Sequence, residues 1–105
     1  MKDSKIFCFD IDGVIMTIVD NNNYRKALPI EKMIKTVNLL YDKGHYIILH
    51  TARGSLIKKN WESVTKNQLK KYKVKYHELI FNKPGADYYI DDKMLSIQDV
   101  IELVN

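Results

Sequence analysis

The sequence predicts a small doubly wound α/β domain, a parallel sheet with helices on both faces, and three observations carry that expectation. Short, wholly apolar runs of strand length alternate with stretches of helical periodicity. The runs Ile6-Phe7-Cys8-Phe9 and Tyr46-Ile47-Ile48-Leu49 are apolar at consecutive positions, as strands buried on both faces are. Polar residues follow these runs directly, at the carboxyl ends where open α/β sheets bind ligands. The 105 residues suit a single domain over 1–105, long enough for a real core.

The elements follow in order. Ile6 to Phe9 forms the first strand, and its Cys8 is expected to be a buried, inert thiol. Val14 to Ala27 reads as a short hairpin with its tip at Asp20-Asn21-Asn22-Asn23, residues that tolerate turn geometry. Pro29 starts a helix with the apolar stripe Ile30, Met33, Ile34, Val37, Leu40 and Tyr41, and Gly44 stops it. Tyr46 to Leu49 is the second strand. A second helix spans about 56–72, with Ile57, Trp61, Val64 and Leu69 inward and lysines outward. Leu79-Ile80-Phe81 is the third strand and Tyr88-Tyr89-Ile90 the fourth. Ser96 caps a last helix with the face Ile97, Val100, Ile101 and Val104, and Asp99 stands at capping-box spacing.

Composition narrows the function classes. Hydrophobic residues at 46% and charged residues at 29% are ordinary for a soluble globular protein. No run approaches the ~20 apolar residues that span a bilayer, and the first residues show no signal-peptide pattern. One cysteine forms no internal disulfide, so the expected setting is the cytoplasm, with no membrane partner. The net charge is +4, and Lys58, Lys59, Lys66, Lys70, Lys71, Lys73 and Lys75 face only one nearby acid, Glu62. Such a run reads first as a solvated helix face and second as a surface for anions or nucleic acid.

Strand ends hold the chemistry. The first strand delivers Asp10 and Asp12, with Gly13 suited to positive φ. The second delivers Thr51, Ala52 and Arg53. The loop after the third delivers Lys83, and the fourth ends at Asp91-Asp92. In a parallel sheet these ends share one edge. Carboxylates so gathered need a balancing cation. A carboxylate can act as nucleophile and a second can shuttle a proton. A hydroxyl and an ammonium can hold phosphate oxygens, and further carboxylates can hold Mg²⁺.

The stretches Asp10-Ile-Asp-Gly-Val, Ile48-Leu-His-Thr-Ala-Arg-Gly54 and Lys83-Pro-Gly-Ala-Asp-Tyr-Tyr-Ile-Asp-Asp-Lys93 resemble the four ordered motifs of the haloacid dehalogenase-like (HAD) hydrolase superfamily. The resemblance runs over essentially the whole chain. It implies a Rossmann-like, capless core, since the intervals 13–50 and 52–82 leave no room for an inserted cap. It also implies a Mg²⁺-dependent phosphatase working through an aspartyl-phosphate. By that resemblance Asp10 is the nucleophile and Asp12 the general acid/base. Thr51 and Lys83 hold the phosphoryl group, with Gly13, Ala52 and Arg53 beside it. Asp10, Asp12 (through its backbone carbonyl), Asp91 and Asp92 hold the metal.

The wording Thr-Ala-Arg-Gly and Lys-Pro…Ile-Asp-Asp-Lys is similar to small bacterial members associated with capsule and surface polysaccharide. A sugar phosphate is the substrate that this implies. The alternatives are a nucleotide or polynucleotide 3′-phosphate, or a non-catalytic binding module on the same fold. An open site implies a bulky substrate or a homo-oligomer whose neighbour supplies a lid. Within the chain, only the tip at residues 21–25, including Tyr24 and Arg25, can reach a leaving group. Arg53 either contacts substrate or pairs with an acid. His45, His50 and His77 fit no zinc spacing and read as structural or surface residues, and Trp61 reads as core. Tyr72, Tyr76, Tyr88 and Tyr89 read as packing. A response-regulator receiver uses similar residues in a different order, which argues against it.

Overall fold

The computed structural model describes residues 3–53 and 61–104. In chain order these form β1 (Ile6–Asp10), α1 (Glu31–Asp42), β2 (Tyr46–His50), α2 (Glu62–Lys71), β3 (Glu78–Ile80) and α3 (Ile97–Val104). Two single 3-10 turns, Asp20–Asn22 and Tyr24–Lys26, lie between β1 and α1. The strands form one parallel sheet in the order β1-β2-β3. Register sets Phe7 beside Ile47, Phe9 beside Leu49, Leu49 beside Leu79, and Asp10 beside His50. A compact, Rossmann-like α/β fold is therefore present, as predicted.

Because strand side chains alternate between faces, the register also sorts them. Phe9, Ile47 and Leu49 are buried in one core with Met33, Ile34, Val37 and Leu40 of α1, Leu69 of α2, and Val100 and Ile101 of α3. On the opposite face Ile6, Cys8, Tyr46 and Glu78 are exposed, with Ile48 and Ile80 half-buried. Cys8 is thus exposed, not buried as expected. An unbroken apolar run does not itself reveal that its alternate positions face outward. Partial desolvation nevertheless pushes the Cys8 thiol above its ordinary pKa, with Lys83 opposing and Asp10 adding.

Local chemistry explains the element ends. α1 begins at Glu31, two residues after Pro29, because the preceding backbone is engaged elsewhere. Met16 bridges Pro29, and the Ile30 N–H donates to the Ile15 carbonyl at 2.8 Å. At the other end Gly44 takes φ 94°, its N–H donating to the Tyr41 carbonyl while that of His45 reaches Leu40. That left-handed stop suits glycine. α3 opens on a full capping box: the Asp99 N–H donates to Ser96 Oγ at 3.0 Å, and the Ser96 N–H donates to Asp99 Oδ2 at 3.4 Å. α2 covers the second half of the helix expected over 56–72, and positions 56–60 lie outside the described residues.

The segments between elements depart most from expectation. The hairpin over Val14–Ala27 is replaced by a closed loop. Met16–Pro29 bridging and a Thr17 N–H to Leu28 carbonyl bond tie its base, while the 3-10 turns form its arm. Gly13 takes φ 88°, and a Cβ there would stand 3.2 Å from Ile18 Cδ1, so the position excludes larger residues twice over. The third strand is displaced by one residue, to Glu78–Ile80. Tyr88-Tyr89-Ile90 does not form a fourth strand: Tyr88 is 84% exposed and Ile90 94%. Three apolar residues between Asp87 and Asp91 are as many as β3 contains, so length alone does not decide the outcome. A local closure competes with any ladder, since the Tyr89 hydroxyl bonds the Pro84 carbonyl and Lys83 Nζ sits 3.9 Å from the Tyr89 ring centroid.

Candidate active site

At the carboxyl ends of β1 and β2 lies a pocket of about 200 Å³ lined by Asp10, Asp12, Ile18, Val19, Tyr24, Ala52, Lys83 and Tyr89. β1 delivers Asp10 as its last residue, and the Ile11 N–H, donating to the His50 carbonyl, extends the pairing by one step. Asp12 emerges one residue later, where Gly13 turns the chain. β2 runs out at His50, and the Thr51 N–H still donates to the Ile80 carbonyl at 3.0 Å. Thr51 and Arg53 are thereby fixed beside Asp12.

Two ion pairs dominate the site. Lys83 Nζ stands 2.9 Å from Asp10 Oδ2, and Asp10 Oδ1 accepts the Ile11 N–H at 2.9 Å. Arg53 forks onto Asp12: Nε lies 3.1 Å from Oδ1 and 3.3 Å from Oδ2, and Nη2 lies 3.0 Å from Oδ1. Thr51 Oγ1 donates to Asp12 Oδ2 at 3.2 Å and accepts the Arg53 N–H at 3.1 Å. The Arg53 side chain is 0% exposed and that of Asp12 only 23%, so this is a largely buried, charge-assisted pair.

Of the nine predicted site residues, Asp10, Asp12, Thr51, Ala52, Arg53 and Lys83 are therefore together. Their parts differ from expectation in detail. Thr51 is fully buried behind the pocket wall with its hydroxyl spent on Asp12 and Arg53. Arg53 faces Asp12 and α2 and is absent from the lining, which favours the acid-pairing reading over substrate contact. The Gly13 N–H is taken by the Met16 carbonyl at 2.7 Å. Tyr24, from the tip flagged as the intrachain element near a leaving group, does line the pocket, whereas Arg25 is exposed. Burial and the Asp12 carboxylate raise the Tyr24 phenol pKa, with Arg53 opposing. Burial and Lys83 lower the His50 pKa, with Asp10 opposing.

The acidic pair stands elsewhere. Asp91 and Asp92 are exposed and outside the pocket lining. Asp91 Oδ1 accepts the Lys93 N–H at 2.9 Å, and this bond, then one from Asp92, lowers the Asp91 pKa. Among the described residues no group of three or more His, Cys, Asp or Glu side chains could hold a metal ion. Asp10 and Asp12 find their positive charge in Lys83 and Arg53 instead. As arranged, the four expected metal donors are not gathered: Asp91 and Asp92 stand apart from the pocket that Asp10 and Asp12 line.

Sequence reading missed Thr65 and Gln68 of α2. Arg53 Nη1 donates to Thr65 Oγ1 at 2.9 Å and to Gln68 Oε1 at 2.6 Å, and Gln68 Nε2 donates to the Tyr24 carbonyl at 2.7 Å. The only signal was their three-residue spacing, which puts both on one helix face. Two of the three histidines hold backbone: Nδ1 of His45 accepts the Lys5 N–H, and Nδ1 of His77 accepts the Ile47 N–H. Trp61 is buried, its ring edge-on to Tyr24 at 5.0 Å. Among the described residues no helix is long and apolar enough to cross a membrane.

No family model and no curated protein matches the chain. Solved structures do resemble it. A crystal structure of an MCSG target from Vibrio cholerae is 26% identical, with a TM-score of 0.79 over 92% of this chain and 87% of that one. A chain in the structure of the Pnkp1/Rnl/Hen1 complex is 22% identical, with a TM-score of 0.62 over 84% of this chain and 31% of that one. The second likeness is one of fold alone.

Proposed function

We propose that this chain is a cytoplasmic phosphatase that hydrolyses phosphomonoesters through an aspartyl-phosphate on Asp10. One observation carries the reading: two carboxylates at the end of β1, each with its own buried cation, face a pocket large enough for a phosphoryl group. Asp10 attacks phosphorus as the bond to the leaving oxygen breaks, and Asp12 gives that oxygen a proton. Water then attacks the aspartyl-phosphate, Asp12 takes its proton, and phosphate leaves with Asp10 restored. Lys83 offsets the charge of Asp10 and of the phosphoryl oxygens, the kind of preorganised positive surround that supplies most of the rate in phosphoryl transfer.

Mg²⁺ is the cofactor proposed with this chemistry, with Asp10, Asp12, Asp91 and Asp92 as its donors. The present conformation leaves that set incomplete. A sugar phosphate is the substrate proposed. The second reading, a nucleotide or polynucleotide 3′-phosphate, is favoured by Tyr24 and Tyr89 in the pocket wall, since aromatic rings stack on bases. A homo-oligomer would cover some of the apolar side chains exposed here, such as Ile6, Ile18 and Ile90. The deciding experiment measures kcat/KM with Mg²⁺ on 4-nitrophenyl phosphate, hexose phosphates, nucleoside monophosphates and a 3′-phosphorylated oligonucleotide. Turnover of one class well above the others assigns the substrate. No turnover of any, with the fold intact, overturns the phosphatase reading in favour of a binding module.

A further inference from the structure

We infer that Thr65 and Gln68 are positioning residues for Asp12, acting through Arg53. The Arg53 guanidinium is planar and fork-shaped, so the orientation of one side fixes the other. One side grips both oxygens of Asp12. The other is held by Thr65 Oγ1 and Gln68 Oε1, three residues apart on α2. The Tyr24 ring covers the guanidinium with its centroid 4.8 Å from Cζ. Gln68 ties the assembly together: its carbonyl oxygen accepts from Arg53, and its amide donates to the Tyr24 backbone. One side chain thus connects α2, the loop that carries a pocket wall and the arginine that aims Asp12. Thr65 is fully buried and packed against this site, where a hydrocarbon would serve simple core packing as well.

A purely structural role and a positioning role differ in what they do to catalysis. Loss of structure lowers activity equally for every substrate. Misplacement of Asp12, in the proposed mechanism, impairs protonation of the leaving oxygen and later deprotonation of water, and only the first depends on the leaving group. The loss then grows with the basicity of the leaving group. An alkyl phosphomonoester needs the proton, and 4-nitrophenyl phosphate, whose phenolate leaves unaided, barely does. The ratio kcat/KM isolates this step, because it reports events up to the first irreversible one.

Two variants separate the roles. Gln68→Met keeps length and loses both hydrogen bonds. Gln68→Glu keeps the acceptor for Arg53 and loses only the donor to Tyr24. In Gln68→Met we expect kcat/KM on an alkyl phosphomonoester to fall roughly tenfold or more, and on 4-nitrophenyl phosphate by less than about threefold. Gln68→Glu should restore most of the alkyl activity, and Thr65→Val should lose it in the same leaving-group-dependent way. Equal losses on both substrates, or no rescue by Gln68→Glu, would overturn the inference.

The kinetic arm rests on the phosphatase reading, and a second arm does not. The chain has two arginines, Arg25 and Arg53, so the ¹⁵N–¹H spectrum holds two Nε–H signals. Arg53 should give the protected one, lost or shifted toward that of Arg25 in Gln68→Met and kept in Gln68→Glu. An Arg53 signal unchanged in Gln68→Met would sink the inference whatever the kinetics. A signal that moves in Gln68→Met, where the wild-type protein hydrolyses no phosphomonoester, would support the coupling to Asp12 and remove the phosphatase reading.

Discussion

The two acidic pairs of this chain sit in opposite physical circumstances. Asp10 ends β1 and Asp12 stands two residues beyond it, and ladder bonds, Gly13 and two buried cations leave them little freedom. Asp91 and Asp92 follow a segment with no ladder, and their bonds are short-range, to Lys93 and to each other. The first pair is held by what is distant in sequence, the second by what is adjacent. Precision at a site comes from the former kind of support. The Asp10–Asp12 side of the pocket therefore has its ion pairs in place, and Asp91 and Asp92 stand outside the lining. Lys83 and Tyr89 link them, one side chain in the ion pair with Asp10 and the other closing over it.

The largest effect should fall on the ladder-held pair. Asp10→Asn removes the proposed nucleophile, so turnover should drop by about a thousandfold or more while circular dichroism shows the same fold. Near-normal turnover by that variant would end the proposed mechanism. Asp12→Ala should instead cost stability, about 3 kcal/mol by urea unfolding, because it leaves the fully buried Arg53 guanidinium without its carboxylate. A cost below about 1 kcal/mol would mean that water reaches Arg53 in solution.

Why one pair was legible and the other was not is a matter of range. Ile6 to Phe9 is long enough to commit to a strand, and whatever follows a sheet-centre strand must emerge at its carboxyl edge. Gly13, Gly44 and the Ser96–Asp99 box were legible because their geometry is decided within three or four residues. Gln68 and Thr65 were hidden because their importance depends on the phase of α2 against Arg53, which no local pattern encodes. Cys8 was misread because apolar character alone does not say which face is covered. Tyr88 to Ile90 have strand-like composition, and the Tyr89–Pro84 and Lys83–Tyr89 contacts outweigh it.

The proposed metal site can be probed without activity. If Mg²⁺ draws Asp91 and Asp92 to Asp10, saturating Mg²⁺ should raise the melting temperature, by an amount equivalent to about 2.7 kcal/mol at a hundred times its Kd. Asp92→Ala should abolish most of that rise. An equal rise in wild type and Asp92→Ala would place the ion elsewhere. A smaller effect belongs to α3, where Ser96→Ala removes one half of the capping box. About 1 kcal/mol of stability should go, read by urea unfolding without Mg²⁺. No measurable change would mean that solvent replaces the cap.

The smallest expected effect is also the sharpest test of the contrast. Ile90 is 94% exposed, whereas Leu49 is fully buried at the centre of the sheet. Leu49→Ala should cost about 3 kcal/mol, the transfer term plus the cavity it leaves. Ile90→Ser should stay within about 0.5 kcal/mol, as substitutions on open surface do. Both are measured by urea unfolding at low protein concentration without Mg²⁺, so that neither self-association nor metal enters. A loss above about 1 kcal/mol for Ile90→Ser would mean that residues 88–90 are buried in solution. β1, whose outer edge carries no strand among the described residues, is where such a segment would find unpaired backbone groups. Repeating the measurement at saturating Mg²⁺ divides the remaining cases. A penalty that appears only with the ion would make docking of 88–92 part of metal binding. A penalty absent in both conditions would keep Asp91 and Asp92 on the surface and leave Lys83 and Arg53 as the charge that balances Asp10 and Asp12.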